Sequence, residues 1–225
     1  MPEHIIIFSH GFGVRKDSRG LFDAVAEELK KEEGIDCILF DYSTIDEKKN
    51  IITVEPFSKQ VAVLQKVIED AQTKKPDAII DIIAHSQGCT VAALLNPEGI
   101  RKSIFCAPFF HTDIEKIRSR YLKFSQSELN FDGVSKRLRR DGSTTIIPPE
   151  YWKERFDINL FKIYNSFAKK TNLIIISANQ DEIINEIDYS LLKNCRLINL
   201  EGKHDFEGEE KYALIKTIKQ IIISD

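Results

Sequence analysis

The run Ile79-Ile80-Asp81-Ile82-Ile83-Ala84-His85-Ser86-Gln87-Gly88-Cys89 sets a serine where it can act as a nucleophile. An apolar, β-branched segment stops at Ser86, with small residues two positions away on each side, Ala84 and Gly88. Helix-forming residues then continue through Leu95. This is the strand, tight turn and helix of a nucleophile elbow, with Ala84 replacing the first glycine of G-x-S-x-G. Small side chains are required because strand and helix backbones crowd together around a strained turn. Read alone, Ser86 also fits a helix N-cap, a common place for a serine between strand and helix.

Acyl transfer by a serine needs an exposed hydroxyl, a base, a group that orients the base, and donors for the developing oxyanion. The chain offers each in the order serine, acid, histidine. His204 lies in the short stretch Glu201-Gly202-Lys203-His204-Asp205-Phe206, after the last strand-like run, where its ring can swing over the sheet edge to Ser86. Asp181, just past the run Asn172–Ser177, is the expected carboxylate to hold His204 in the right tautomer; Glu182 and Asp188 are rivals. Taken singly, His204 also reads as a surface-loop histidine and Asp181 as a turn residue. Asp205 is expected to be structural, as a cap for the last helix, because adjacent side chains diverge too far to hold one another. The oxyanion donors would be the backbone N–H groups of Phe12, in His10-Gly11-Phe12-Gly13 at the end of the first strand, and of Gln87. Losing one such donor costs about 3–4 kcal/mol of transition-state stabilisation. His10 is expected to brace its loop and His85 to pack beside the elbow, while His4 and His111 carry no comparable signal.

Composition excludes several other classes. A net charge of -3 over 225 residues gives no reason to expect nucleic acid or an anionic membrane as partner. No stretch approaches the ~20 apolar residues that cross a bilayer. Met1-Pro2-Glu3-His4 leads directly into a strand-like run, so no secretory leader is expected. Cys37, Cys89, Cys106 and Cys195 stand far apart without metal-ligand spacing. They read as buried free thiols of a reducing cytoplasm, with neither a disulfide framework nor a bound metal. Gly11-x-Gly13 is no dinucleotide fingerprint, since its third glycine would fall at Lys16, and no P-loop pattern occurs. No organic cofactor is expected either.

The elements that must position these residues alternate. Strand-like runs at His4–Ser9, Asp36–Asp41, Ala78–Ala84, Ser103–Ala107, Asn172–Ser177 and Arg196–Leu200 are mostly unbroken apolar stretches. That is the mark of parallel strands covered on both faces. Between them, Leu21, Phe22, Val25, Ala26 and Leu29 form one helical stripe, capped by Asp17 or Ser18 and stopped at Gly34. Phe57, Val61, Leu64, Ile68 and Ala71 form a second, from Pro56 to before Pro76. The last carries Tyr212, Leu214, Ile215, Ile218, Ile221 and Ile222. Such alternation predicts a doubly wound, mostly parallel sheet, an α/β fold in one domain. Glu27–Glu33 and Asp46–Lys49 read as solvated helix or loop surface.

Between Pro108 and Asn165 the alternation stops. This segment holds ten aromatics (Phe109, Phe110, Tyr121, Phe124, Phe131, Tyr151, Trp152, Phe156, Phe161 and Tyr164) and 11 Lys/Arg against 8 Asp/Glu. Asp141-Gly142, between Val134–Arg139 and Thr144–Ile147, predicts a two-residue hairpin turn, and Pro148-Pro149 leads into a helix around Tyr151–Arg155. The segment reads as a lid insertion spanning about 109–165. Lys136, Arg137, Arg139 and Arg140 form a basic cluster on its hairpin, read as a solvated edge in the first place and as steering for an acidic substrate or partner in the second.

These pieces together resemble the α/β-hydrolase superfamily over nearly the whole chain, and among its members the small serine esterases of cinnamoyl-type and other short esters. The resemblance rests on His10-Gly11-Phe12-Gly13, His85-Ser86-Gln87-Gly88, Asp181, His204, and the insertion with Arg139-Arg140-Asp141-Gly142 and Ile147-Pro148. It implies a minimal six-stranded sheet, because the two antiparallel strands that usually open the fold have no counterpart here. It also implies hydrolysis of a small-molecule carboxylic ester through an acyl-enzyme on Ser86. Thioester or peptide cleavage by the same residues, or a non-catalytic ligand-binding module, stay open. The chain departs from the family at Ala84, at Ser177-Ala178-Asn179-Gln180 before the acid, and at Asp41-Tyr42-Ser43-Thr44, which lacks a glycine-rich turn.

Overall fold

The computed structural model describes residues 3–110, 113–121, 123, 126–139, 141–184 and 188–224. His111, Phe124 and Arg140, and Met1 and Pro2 at the start, lie outside them. In chain order the first elements are β1 (His4–Ser9), α1 (Leu21–Leu29), β2 (Ile35–Leu39), β3 (Thr44–Asp46), β4 (Ile51–Thr53) and α2 (Phe57–Lys74). Then come β5 (Ile79–His85), α3 (Gln87–Leu95), β6 (Ile100–Cys106), α4 (Ile114–Tyr121), β7 (Ser135–Leu138) and β8 (Thr144–Ile147). α5 (Pro149–Asp157), α6 (Leu160–Phe167), β9 (Asn172–Ala178), β10 (Cys195–Leu200) and α7 (Glu209–Ile223) complete the chain.

The six apolar runs form one sheet in the order β10-β9-β6-β5-β1-β2, with every neighbouring pair parallel. Alternate residues of each central strand point to opposite faces, and both faces are packed. Ile6, Phe8, Ile83, Ile104 and Ile176 meet α1 and α7, while Ile7, Ile82, Phe105 and Ile175 meet α2, α3 and α6. A strand with two apolar faces needs no polar alternation, which is why these runs are continuous. Asp81 is the exception within β5. Its buried carboxylate accepts from Arg101, the Lys102 amide and the His4 ring near the start of the strands, giving His4 a structural role far from Ser86.

The chain leaves β1 in one direction to β2 and returns on its other side to β5. The carboxyl ends of β1 and β5 therefore flank the point where strand order reverses, the place where open parallel sheets take their ligands. The loop beginning at His10 and the turn at Ser86 both leave the sheet there.

Several expectations need correction. The segment following β2 is not simply a loop: β3 and β4 form a short antiparallel hairpin, with Asp46–Lys49 at its turn. β4 then pairs in parallel with β8, so 44–53 and 135–147 build a second, four-stranded sheet in the order β3-β4-β8-β7. The turn between β7 and β8 is wider than two residues. Arg139 N–H donates to Ser143 O at 2.8 Å and Gly142 N–H to Arg139 O at 3.1 Å, with Gly142 at φ 80° supplying a left-handed step. Neither Asp17 nor Ser18 caps α1: Gly20 stands at the cap position, with its N–H on Asp17 Oδ2. Nor does Asp205 cap α7, which starts after Gly208 without a side-chain cap. Asp205 instead pairs with Arg19 at 2.5 Å. Tyr212 drops out of the last helical stripe, since it is 74% exposed while Leu214, Ile218, Ile221 and Ile222 are buried. All four cysteines are free; Cys89 and Cys106 are buried, whereas Cys37 and Cys195 are only half-buried. Among the described residues no helix is long and apolar enough to cross a membrane.

Candidate active site

From Ile80 to Ala93 every residue is buried except Ser86. The β5–α3 turn holds it there with φ 51° and ψ -118°, a strained backbone for a residue with a Cβ, of a kind that costs about 1–3 kcal/mol. The crowding that requires small neighbours is concrete at Gly88. A Cβ there would collide with the Ser9 carbonyl, and Ser9 Oγ donates to Gly88 O at 2.8 Å. Ala84 is fully buried between its strand neighbours. Ser86 stands at the N-cap position of α3, yet its hydroxyl makes no capping hydrogen bond. The N-cap reading fails because that hydroxyl faces His204, with Oγ 2.9 Å from Nε2.

On the other side of the ring, His204 Nδ1 lies 2.8 Å from Asp181 Oδ2. An ionised carboxylate only accepts, so the ring proton sits on Nδ1 and the bare Nε2 accepts from the serine. The side chains of His204 and Asp181 are 4% and 6% exposed, so water does not compete for either bond. Asp181 Oδ1 accepts from the amides of Ile183 and Ile184 at 2.8 and 2.7 Å, which fixes the plane of the carboxylate. The rival acids are elsewhere. Glu182 receives the backbone N–H of His204 at 3.4 Å rather than its ring, and Asp188 caps the turn Tyr189–Leu191 through Ser190.

The two amides expected at the oxyanion lie beside this set. Gln87 is the first residue of α3, so its N–H has no helical acceptor. Neither it nor the Phe12 N–H has a partner among the described residues. The loop bearing Phe12 runs close to Ser86: a Cβ on Gly11 would stand 3.4 Å from Ser86 Cβ. His10 braces that loop, its Nε2 accepting from Tyr42 N–H at 3.0 Å while Nδ1 donates to Gly11 O at 2.9 Å. Burial lowers its pKa, so it stays neutral. His85 is likewise a brace. Its Nε2 donates to the His204 carbonyl at 2.9 Å, and burial, then the nearby His204, push its pKa down to about 4.

One network was not expected from sequence. Gln87 Nε2 donates to Gln60 Oε1 at 2.9 Å, Tyr151 OH donates to Gln87 Oε1 at 2.6 Å, and Arg155 Nη1 donates to the Tyr151 oxygen at 2.8 Å. It ties α2, the elbow helix and α5 together behind Gln87. Its signal was Gln60, a polar residue between Phe57 and Leu64 on a buried helix face, where it must find a partner. Arg139 was seen only as part of a basic edge. It donates from Nη2 to Phe12 O at 3.2 Å and from Nε to Thr145 Oγ1 at 2.8 Å, holding the Phe12 loop from the hairpin side.

His85, His204 and Asp205 bring ligand-type atoms within 4.8 Å of one another, a spacing a metal ion can use. Both ring nitrogens of His204 are already bonded, however, one to Ser86 and one to Asp181.

Sheet order, the elbow and the placement of the two loops define an α/β-hydrolase fold. Solved structures share it over nearly the whole chain. Est1E from Butyrivibrio proteoclasticus is 18% identical with a TM-score of 0.69, covering 99% of this chain and 88% of its own. With ferulic acid bound, Est1E gives a TM-score of 0.70 at 18% identity over 99% and 89%. A monoacylglycerol lipase from Paleococcus ferrophilus gives 0.69 at 15% identity over 99% and 95%. No family model and no curated protein matches the sequence.

Proposed function

We propose that the protein is a serine hydrolase that cleaves a carboxylic ester of a small molecule through an acyl-enzyme. The observation that carries this reading is the pair of bonds made by His204, 2.9 Å to Ser86 Oγ and 2.8 Å to Asp181 Oδ2. In the first half-reaction the Ser86 proton passes to His204 Nε2 as Oγ attacks the ester carbonyl carbon. Asp181 stabilises the imidazolium without taking its proton. The carbonyl oxygen, now anionic, receives the N–H groups of Phe12 and Gln87, the second at the positive end of the nine-residue helix α3. Collapse breaks the C–O bond, and the leaving alcohol takes the proton from His204. Water then repeats the sequence on the acyl-enzyme, giving its proton to His204, which returns it to Ser86. The chemistry calls on no metal or organic cofactor.

An ester, rather than a thioester or peptide, is favoured by the names of the structural neighbours, an esterase domain, a ferulic-acid complex and a monoacylglycerol lipase among them. In this reading 109–165 acts as a lid of a single hydrolase domain. Its support is that Tyr151 and Arg139, both from that segment, pack on the Phe12 ring. Four free thiols suit a reducing cytoplasm. The test is turnover of 4-nitrophenyl acetate and butyrate by wild type and Ser86→Ala, with fluorophosphonate labelling. Turnover lost with Ser86, and labelling at Ser86, are the expected results. Equal rates in both proteins refute the proposal, and an unlabelled serine favours a non-catalytic binder.

A further inference from the structure

Resting on that reading, the two residues whose amides would meet the oxyanion share one source of support, the insertion after β6. Phe12 stands between Gly11 and Gly13, and among the described residues neither its N–H nor its C=O bonds to another backbone group. Gly13 follows at φ 59°. A residue flanked by two glycines and without main-chain bonds has wide conformational freedom. What restrains it comes from 127 residues further along the chain, where Arg139 Nη2 donates to Phe12 O at 3.2 Å. The same guanidinium lies over the Phe12 ring, 5.4 Å from its centroid. A Cβ on Gly13 would collide with Arg139 Nη2, so the loop and the guanidinium share a space that only glycine leaves open. Arg139 is anchored in turn, its Nε donating at 2.8 Å to Oγ1 of Thr145, a buried residue of β8.

Tyr151, the third residue of α5, touches both donor residues. Its ring centroid is 5.5 Å from that of Phe12, and its hydroxyl donates to Gln87 Oε1 at 2.6 Å. The tyrosine is itself fully buried, stacked on Phe57 at 5.2 Å, with Arg155 Nη1 on its oxygen at 2.8 Å. Gln60 accepts from the other end of the Gln87 side chain at 2.9 Å. Both polar atoms of that side chain are therefore engaged, which fixes the residue directly after Ser86. Donors to an oxyanion work because they are already aimed when the charge develops, and a misplacement of about 1 Å can cost about 10²-fold in rate.

We propose that Arg139 and Tyr151 are positioning residues for the oxyanion hole, Arg139 holding Phe12 and Tyr151 holding both Phe12 and Gln87. Neither touches the reacting atoms. The stretch from β7 to α5 is then part of the machinery of ester cleavage and not only a cover over it. Lifting that stretch away would release both donor residues together, so turnover requires it in place.

The experiment measures 4-nitrophenyl butyrate turnover, and inhibition by butyl trifluoromethyl ketone, in wild type, Arg139→Ala and Tyr151→Phe, with melting temperatures recorded alongside. Ser86 Oγ bonds to the carbonyl carbon of this ketone as the serine proton passes to His204, and the oxygen left anionic calls on the same two amides. Each variant should lose about tenfold to a hundredfold in kcat with KM within about threefold, approaching the loss for removing one donor outright. Affinity for the trifluoromethyl ketone should fall by the same factor, while the matching methyl ketone binds wild type and variants alike. Guanidinium chloride well below denaturing concentration should restore part of the kcat of Arg139→Ala where sodium chloride does not, a response that lost packing alone would not give. Tyr151→Phe keeps the ring, so it decides the matter if the arginine variant fails to fold. Variants with kcat and ketone affinity within about threefold of wild type, or changed only in KM or melting temperature, overturn the inference. Ser86-dependent turnover by wild type then leaves the esterase reading standing. A wild type that cleaves no ester and is not labelled at Ser86 by a fluorophosphonate overturns that reading, and this inference with it.

Discussion

Replacing Asp181 by asparagine changes one atom and leaves the shape of the side chain intact. Oδ1 of Asp181 accepts the amides of Ile183 and Ile184, and Oδ2 faces His204 Nδ1. An asparagine at 181 has one oxygen, which those two N–H groups claim. Turning it the other way would set its NH₂ against two donors and leave both unpaired, at about 1–3 kcal/mol each. The amide nitrogen therefore points at His204 and donates to Nδ1, which forces the proton onto Nε2. Nε2 then donates to Ser86 where it should accept, and the base is absent. For a triad histidine held in the wrong tautomer the loss in kcat is about 10⁴-fold, or ~5.4 kcal/mol. The assay is kcat and KM for 4-nitrophenyl butyrate with the melting temperature recorded alongside. Asp181→Asn should lose about 10³ to 10⁴ in kcat with KM nearly unchanged and the melting temperature within a few degrees. Glu182→Gln and Asp188→Asn, whose carboxylates do not touch the ring, should keep activity within about threefold. Activity of Asp181→Asn within tenfold of wild type refutes the assignment of Asp181 as the group that orients the base.

Other expectations follow from the same geometry. Gly88→Ala drives a methyl into the Ser9 carbonyl and should destabilise by at least the ~1–3 kcal/mol of an overpacked core, read as a lower urea midpoint with loss of activity. Tyr151→Phe removes the link between Gln87 and Arg155 at the back of the elbow; a cost of about 1–3 kcal/mol, several degrees in melting temperature for a chain of this length, is expected by calorimetry. Ser86→Gly abolishes turnover but relieves a positive φ, so its melting temperature should be no lower than that of Ser86→Ala. Stability should fall on acidification. His10 and His85 have folded-state pKa values below the unfolded 6.5, that of His85 at about 4, so the unfolded chain binds more protons in this window. Their contribution is complete above pH 6.5 and is lost as the pH falls toward about 4. Urea midpoints at pH 7.5, 6 and 5 measure it, and a flat profile contradicts the neutral buried rings.

Much of this was legible in linear order because it is decided locally. Continuous apolar runs require parallel strands covered on both faces, and all six were found, each within a few residues of its expected bounds. Ala84 and Gly88 mark a turn with no room for larger side chains, and the residues expected at Ser86, Asp181 and His204 are those the fold brings within hydrogen-bond reach. Elements made by distant partners were not legible. β3 and β4 are three residues each, too short to announce themselves by pattern. They exist because β8, about ninety residues later, supplies the hydrogen bonds that complete them. Asp205 had the residue type of a helix cap, yet Arg19 from the far end of the chain claims it. Arg139 read as part of a charged edge until folding set it against the Phe12 carbonyl and ring. Residue type and local spacing thus specified the strands, the elbow and the chemistry its side chains can perform. Which charges meet, which are buried, and what they face was left to strand order and packing, since electrostatics and hydrogen bonding act through space and not along the chain.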